Sequence, residues 1–187
     1  MQKLYKKNKK MKKFIVMALM LIGFGVSASA QNFGLGVNLG YGSEVKNPSF
    51  GIKALYDINE SFTIAPSFNY YLPKTMASFS YGGVEAESKL KSWDLNVDVH
   101  WICYNAEKYQ LYPLAGLSYL NVKADAEASY GNFEAEVDES AGEFGINLGF
   151  GGQLYLNDNW LVSAELKYQI ISDLNQFVPS LSLMYKF

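Results

Sequence analysis

The sequence predicts an all-β protein, an eight-stranded antiparallel up-and-down transmembrane β-barrel preceded by a cleavable helical signal peptide. Three observations lead to this prediction. An export signal lies at the amino-terminal end, eight segments of alternating apolar and polar residues follow it, and the last segment ends on an aromatic residue. A membrane protein without apolar spanning helices has to close its sheet, because lipid cannot satisfy the backbone groups of an open sheet edge.

The export signal has the three parts of a secretory signal peptide. Lys12 and Lys13 form the basic region, residues 14–26 form an apolar run, and Ala28, Ser29 and Ala30 form a small-x-small cleavage site. The apolar run is too short for a spanning helix, which needs about 20 residues. We therefore expect a signal peptide over residues 1–30, cleaved after Ala30, and a barrel domain over residues 31–187. Met11 is favoured over Met1 as the start, because the ten residues before it add nothing to the export signal.

Loss of the signal peptide changes the charge balance. Seven of the 16 basic residues and none of the 18 acidic residues lie within it, so the mature chain carries nine bases and 18 acids, a net charge of −9. This balance argues against nucleic-acid binding, which depends on basic surfaces. The single cysteine, Cys103, cannot form an internal disulfide and is expected to act as a small apolar residue.

The eight alternating segments have roughly the 9–12 residues that a tilted strand needs to cross a bilayer. They are residues 33–41, 50–58, 62–72, 92–103, 109–119, 144–155, 160–170 and 177–187. The fourth is the clearest, with Trp93, Leu95 and Val97 alternating with Asp94 and Asn96. The connections between the segments alternate between short and mostly longer, as expected for short periplasmic turns and long outer loops. Both termini should then lie on the periplasmic side.

Three stretches of sequence resemble a known family. They are Gly-Ile-Asn-Leu-Gly-Phe-Gly-Gly at 145–152, leading through Asn-Asp-Asn-Trp at 157–160 into Ala-Glu-Leu-Lys-Tyr at 164–168, and the terminal Tyr185-Lys186-Phe187. With the strand count, they resemble the small outer-membrane barrels of the OmpA/OmpX kind and the broad outer membrane protein β-barrel domain group, over the whole mature chain. The resemblance implies the bacterial outer membrane as location, with its lipid and the barrel-assembly machinery as partners. It also implies that Tyr185 and Phe187 are the assembly signal.

The inward-facing positions include three bases and three acids. An eight-stranded barrel is just wide enough for its own side chains to fill. Unpaired charges in such an interior are costly, so we expect the bases and acids to form a lumen charge network. The candidates are Lys53, Lys167 and Lys186 with Asp94, Asp98 and Glu165. A tight turn between the sixth and seventh segments would also set Gly149 opposite Lys167 and Gly151 opposite Glu165, leaving room for the long side chains. This pattern favours a plugged polar lumen over an open pore.

A catalytic site is a weaker interpretation of three polar residues in the third and fourth segments. Folding the third and fourth segments about Gly82 and Gly83 would bring Ser67 near Asp98 and His100, the residue types of a hydrolase triad. Some outer-membrane barrels are lipid-modifying enzymes, but a lumenal triad has no route to a lipid substrate. Polar residues filling polar positions explain this set better. We therefore expect no enzyme activity, no catalytic residues, no cofactor and no metal site, since His/Cys/carboxylate spacing for a metal is also lacking.

The two longest connections continue the strand alternation. In residues 73–91 and 120–143, one face stays apolar while the other changes from apolar to charged. Gly82-Gly83 and Gly131-Asn132 lie where hairpin turns are needed. We therefore expect two β-hairpins projecting above the bilayer, with their apolar faces packed on each other or over the barrel mouth.

Two classes of function remain open from the sequence. The first is a structural or surface-interaction barrel, whose hairpins could bind an extracellular protein partner by strand addition. The second is a narrow porin-like channel or transporter for small solutes. The open area of the lumen distinguishes them.

Overall fold

The computed structural model is a closed antiparallel β-barrel, and it describes residues 32–81, 84–130, 133–172 and 174–187. The predicted signal peptide over residues 1–30 lies outside the described residues, and its cleavage stays a prediction. The barrel has eight long strands and one two-residue strand at a turn. Their bounds are β1 (Phe33–Gly42), β2 (Asn47–Asn59), β3 (Phe62–Tyr81), β4 (Val84–Trp101), β5 (Tyr104–Asn105), β6 (Tyr109–Tyr130), β7 (Phe133–Tyr155), β8 (Trp160–Ile171) and β9 (Gln176–Lys186).

Each long strand pairs with its neighbour in sequence, and the barrel closes where β1 meets β9. Between β4 and β6 the chain makes a short turn that contains β5, which pairs with the start of β6. The eight-stranded all-β prediction is therefore confirmed. Within the described residues, no helix is long and apolar enough to span a membrane.

The start of β1, the carboxy-terminal end of the chain and the short connections meet at one end of the barrel, named here the lower rim. The Phe187 backbone N–H donates to the Phe33 carbonyl at 3.0 Å, and the Lys186 N–H donates to the Asn159 carbonyl at 2.7 Å. The Tyr155 N–H donates to the carbonyl of Lys108 in another short turn, also at 2.7 Å. We expect this rim to face the periplasm, and the opposite, upper rim to face outward.

The strand alternation separates an apolar outside from a polar inside, because successive residues of a strand point to opposite faces. Outward side chains remain exposed, as with Leu117 at 67% and Val37 at 58% relative accessibility. Inward side chains between them are buried, as with Asn96 at 1%. This exposed apolar band is the surface that a lipid bilayer would cover.

Four neighbouring strands are much longer than the rest. β3, β4, β6 and β7 have 18–23 residues, whereas the other long strands have 10–13. Their pairing continues to the register positions Tyr81↔Val84 and Tyr130↔Phe133. The β4–β6 ladder also continues to Val84↔Tyr130. The four strands thus extend beyond the upper rim as one sheet, named here the extended sheet.

This arrangement differs from one of the two expected packings, in which the hairpins lie face to face; packing over the barrel mouth stays a prediction. β4 and β6 are already neighbours in the barrel wall, so their ladder continues upward without interruption and joins the hairpins edge to edge. The predicted apolar inner faces of the hairpins fall mostly on residues 76–87 and 125–139, whose side chains lie outside the described part of the chain.

Two register shifts lie on the β3–β4 ladder, between Tyr71 and Lys74 and between Thr75 and Ala77. Each adds an unpaired residue to β3, as a β-bulge does. As a result, Ser67 lies opposite Asn96, and Ala65 rather than Ser67 lies opposite Asp98. The juxtaposition of Ser67 with Asp98, expected from a symmetric fold about Gly82-Gly83, is therefore wrong by two residues.

Candidate functional sites in the barrel interior and the extended sheet

The middle of the interior holds a buried ion pair. Lys53 on β2 and Glu165 on β8 bring their charged groups into contact, and their side chains are 3% and 2% exposed. The Tyr112 hydroxyl donates to the same carboxylate oxygen at 2.9 Å. His100 stacks on the Tyr112 ring, with 4.2 Å between ring centroids, and its Nε2 lies 3.6 Å from Glu165. Three other strands thus supply groups around one carboxylate.

A second ion pair lies next to the first, toward the upper rim. Lys167 Nζ donates to Asp98 Oδ2 at 2.9 Å, and Asn147 Nδ2 donates to the other oxygen of Asp98 at 2.7 Å. The same Asn147 amide also donates to Asn96 Oδ1 at 3.0 Å. Asn96 therefore connects this pair to the polar groups above it.

Asp94 is fully buried, and its described hydrogen bonds come from uncharged donors. Asn69 and Asn96 donate amide hydrogens to Oδ1 at 2.8 and 2.7 Å, and the Tyr71 hydroxyl donates to Oδ2 at 2.7 Å. The predicted set of six charges therefore does not divide into three internal pairs. Asp94 is stabilised by oriented dipoles rather than by a direct lysine contact.

Lys186 takes a partner that the predicted set lacks. Its Nζ donates to Asp57 Oδ2 at 2.5 Å near the lower rim, and the Thr63 hydroxyl donates to Asp57 Oδ1 at 2.6 Å. Asp57 lies on the same polar face of β2 as Lys53, so strand alternation already indicated that it faces inward. The sequence did not indicate its pairing with Lys186, because the two residues are 129 positions apart.

Uncharged amide side chains form another part of the interior, and sequence reasoning about charges missed them. Asn38 donates to Asn69, Gln169 donates to Asn96, and Gln176 donates to Gln169, at 2.7, 3.0 and 2.7 Å. Their inward positions follow from the same alternation that placed the charges. The described hydrogen bonds therefore continue from the Lys167–Asp98 pair through Asn147 and Asn96 toward the upper rim.

Two apolar clusters lie on either side of the network. Val45, Tyr71, Leu120 and Ile171 pack together toward the upper rim, and Leu55, Ala65, Leu161 and Met184 pack together toward the lower rim. The buried members are at most 8% exposed. Apolar side chains thus contribute to the packing of the interior on both sides of the central ion pairs.

Inward glycines make room for the long charged side chains. Gly149 lies opposite Lys167 and Gly151 opposite Glu165, so both predicted juxtapositions are confirmed. A Cβ added to Gly151 would lie 2.7 Å from Glu165 Cγ and 2.8 Å from Tyr112 Cε2. The space that the missing side chain leaves is already occupied.

The three residues of the rejected triad do not come together among the described residues. Ser67 contacts the Asn96 amide at 3.5 Å, whereas His100 lies beside Glu165 and Tyr112. Among the residues that the structure describes, no group of three His, Cys, Asp or Glu side chains could hold a metal ion.

Comparison with known proteins agrees with the closed barrel. The family model of the outer membrane protein beta-barrel domain matches residues 16–187. The chain belongs to this family. Its location is therefore the bacterial outer membrane, and the exposed apolar band faces lipid. No curated protein matches the chain.

Solved structures of other outer-membrane barrels share the fold at low sequence identity. Ail of Yersinia pestis, in complex with the heparin analogue sucrose octasulfate, is 18% identical, with 83% of this chain and 96% of Ail covered and a TM-score of 0.55. A major outer membrane protein of Thermus thermophilus is 12% identical, with 83% and 98% covered and a TM-score of 0.59. Neisserial surface protein A is 18% identical, with 83% and 96% covered and a TM-score of 0.51.

The carboxy-terminal aromatic residues of this outer-membrane barrel lie at the seam where the sheet closes. The Phe187 ring stacks on Phe33 with 5.8 Å between centroids. Tyr185 makes edge contacts with Trp160 at 5.2 Å and with Phe187 at 5.2 Å. Both residues of the predicted assembly signal thus join β9 to its neighbours at the lower rim.

The extended sheet is the second candidate site, because it has two edges. On one side, β2 pairs with β3 only as far as Ser49↔Tyr71. On the other side, β8 pairs with β7 only from Gly145↔Ile171. Among the described strands, no further partner covers the edge of β3 beyond Tyr71 or the edge of β7 before Gly145. Open sheet edges present unpaired N–H and C=O groups, which can bind another strand.

Proposed function

We propose that this outer-membrane barrel is a non-enzymatic surface protein with a plugged lumen, and that its extended sheet binds a polypeptide partner by strand addition. The observation that carries the proposal is the pairing of β3, β4, β6 and β7, which continues beyond the upper rim. The extended sheet lies above the upper rim, where a partner can reach it. In strand addition, backbone hydrogen bonds to the sheet edge provide the affinity.

The contents of the lumen support the plug. The ion pairs Lys53–Glu165 and Lys167–Asp98 cross the middle, and apolar clusters lie above and below them. Opening a pore would separate buried charges from their partners, which is strongly unfavourable. Conduction by a narrow channel is therefore the weaker alternative. A lipid-modifying enzyme is weaker still, because Ser67 and His100 do not contact each other among the described hydrogen bonds and face the interior.

The charge of the extended sheet argues for a polypeptide rather than a polyanionic ligand. Ail was solved with a sulfated heparin analogue. In the present chain, residues 121–143 contain seven acids and one lysine. A sulfated ligand would be repelled by this hairpin, since like charges at close range are unfavourable.

Two measurements test the proposal. In planar bilayers, the purified barrel should give no steady channels, whereas stable nanosiemens-scale conductance would refute the plug. In lipid nanodiscs, extended fluorescent peptides should bind, and a helical peptide of matched length should not. A barrel that binds no extended peptide under any charge condition would refute strand addition.

A further inference from the structure

We infer that the partner strand pairs with the β7 edge, from Phe133 to Phe144, and that it carries Lys or Arg at alternate positions. This inference rests on the proposed function and adds to it which edge is used and what chemistry the partner has. It follows from three features of the extended sheet: the state of its two edges, the direction of the β7 backbone groups, and the charge along β7.

The β3 edge is protected against pairing. The Asn47 side-chain amide already donates to the Leu72 carbonyl at 2.9 Å. Pro73 has no N–H to offer, and the two register shifts between Tyr71 and Ala77 interrupt the regular spacing of backbone groups. Proline, bulges and an edge lysine such as Lys74 are the usual devices that prevent strand addition.

The β7 edge has none of these interruptions. β6 and β7 pair from Tyr109↔Leu154 to Tyr130↔Phe133 without a register shift, and residues 133–144 contain no proline and no lysine. Between the described strands, the β8 ladder begins only at Gly145. A regular stretch of twelve residues is therefore available at this edge.

The regular register shows which β7 residues present backbone groups outward. The N–H of Tyr155 donates to Lys108 on the β6 side, and the N–H of Leu156 donates to Trp160 on the β8 side. Alternate residues of an antiparallel strand direct their backbone groups to opposite neighbours. Even-numbered positions of β7 therefore present their N–H and C=O groups to the open edge. These positions are Glu134, Glu136, Asp138, Ser140, Gly142 and Phe144.

Three consecutive positions of this outward-bonding set are acidic in the sequence, and the register sets further acids beside two of them. Glu136 is in register with Glu127 on β6, which is in register with Glu87 on β4. Asp138 is in register with Asp125 on β6, and Asp125 is in register with Lys89 on β4, so the one base in these two rows lies two strands away from β7. Like charges directly opposite each other destabilise a sheet, and opposite charges stabilise it. A partner strand with bases opposite Glu134, Glu136 and Asp138 would complete these rows favourably.

The same charges disfavour a second copy of the chain as the occupant. Two β7 edges paired with each other would set acids against acids, since residues 133–144 contain five acids and no base. The fitting occupant is therefore an extended segment of another polypeptide, with bases at every second position and small or apolar residues between them. Ala135 and Val137 set the same small and apolar pattern on β7 itself.

Fluorescence anisotropy with the full chain in nanodiscs, at low salt, tests the peptide chemistry. The probes are four extended peptides of equal length: lysine at three alternate positions, the same composition with the lysines adjacent, threonine in place of lysine, and glutamate in place of lysine. We expect the alternating-lysine peptide to bind on the order of tenfold more tightly than the threonine peptide, since three cross-strand charge pairs are added. The glutamate peptide should bind most weakly. Equal affinity for all four peptides would overturn the partner chemistry while leaving strand addition intact.

Variants distinguish binding at the β7 edge from non-specific electrostatic attraction to the acidic chain. The Glu134→Gln/Glu136→Gln/Asp138→Asn variant should lose the preference for alternating lysine and keep the affinity for the threonine peptide. Its control, Glu60→Gln/Glu107→Gln/Asp158→Asn, removes the same charge from exposed turns at the lower rim and should keep the preference. Equal loss in both variants would show a general charge effect and would overturn the inference.

Cross-linking locates the bound peptide. In a Cys103→Ser background, a peptide cysteine should form a disulfide with Ser140→Cys on β7 and not with Ser78→Cys on β3. Ser140→Pro, which removes one edge-directed N–H, should weaken binding of every peptide while the barrel stays folded on gels. Cross-linking to position 78 instead, or concentration-dependent dimers of the chain linked through position 140, would overturn the choice of edge or of occupant. If no peptide binds the wild type, the proposed function itself fails.

Discussion

The Lys53 ammonium on β2 pairs with the Glu165 carboxylate on β8 across the barrel interior, although the two residues are 112 positions apart in the chain. Their side chains are 3% and 2% exposed, so water solvates neither charge to a large extent. A pair of this kind contributes little net stability when intact, because desolvation offsets the attraction. Breaking it is costly, because the remaining charge is buried without a partner.

Removing Glu165 alone should therefore be worse than removing the pair. We expect Glu165→Ala to destabilise the barrel by about 3–5 kcal/mol, the cost of an unpaired buried charge. Lys53→Met/Glu165→Gln should retain most of the stability. Urea unfolding in detergent, followed by heat-modifiable mobility on gels, measures both. Glu60→Ala, at an exposed turn, is the control. Equal losses for the single and double variants would contradict this account of the pair.

Asp98 and Asp94 should respond differently to neutralisation. Asp98→Asn leaves Lys167 without its described anionic partner, so we expect a loss of about 3–5 kcal/mol. In Asp94→Asn, Oδ1 can still accept from Asn69 and Asn96, while the new amide can donate to the Tyr71 hydroxyl. We expect a change within about 1 kcal/mol there, the size of one neutral hydrogen bond. The same unfolding assay compares them, and a larger loss for Asp94→Asn would show that its charge is required.

Two adjacent glycines on β7 provide a matched test of the interior packing. A Cβ at Gly151 would press against Glu165 and the Tyr112 ring, whereas a Cβ at Gly152 would meet the flexible end of Leu111 at 2.9 Å on the lipid-facing side. We expect Gly151→Ala to cost about 1–3 kcal/mol, as overpacking does. Gly152→Ala should be nearly neutral. Thermal unfolding in detergent measures the difference, and equal stability of the two variants would indicate free space around Glu165.

Deleting Phe187 should impair assembly more than synthesis. Its ring stacks on Phe33 and its N–H closes the last backbone bond of the β1–β9 seam, so its loss leaves the closing edge frayed. The fraction of heat-modifiable, folded protein in the outer membrane should fall while total protein is unchanged. Phe177→Ala is the control, because Phe177 is equally exposed on the same strand, at 53% against 54%. Normal folded levels after deletion of Phe187 would reject the assembly signal.

The mature protein should begin at Gln31. The small residues Ala28 and Ala30 match the cleavage specificity for secreted proteins, and the family is exported to the outer membrane. Intact-mass spectrometry of the protein purified from outer membranes measures the amino terminus. A mass that retains residues 14–30 would refute cleavage at this site.

The sequence by itself determined the class of fold, the inward and outward faces, and the location. Strand alternation has a period of two, so any short window of residues such as 93–101 reveals which side chains face lipid and which face the interior. The glycines opposite Lys167 and Glu165 also followed from sequence, because the turn between β7 and β8 is tight and the ladder beyond it has no register shift.

Only the tertiary structure decided which interior groups meet. Ion-pair partners lie on strands far apart in sequence, so barrel closure and strand stagger set their positions along the barrel axis. Lys186 therefore contacts Asp57 rather than one of the other acids. Asp94 accepts hydrogen bonds from amide side chains and Tyr71. Two bulges moved Ser67 away from its expected position opposite Asp98. The β4–β6 ladder likewise joined two hairpins into one sheet, since pairing between strands is a property of the closed barrel and not of either hairpin alone.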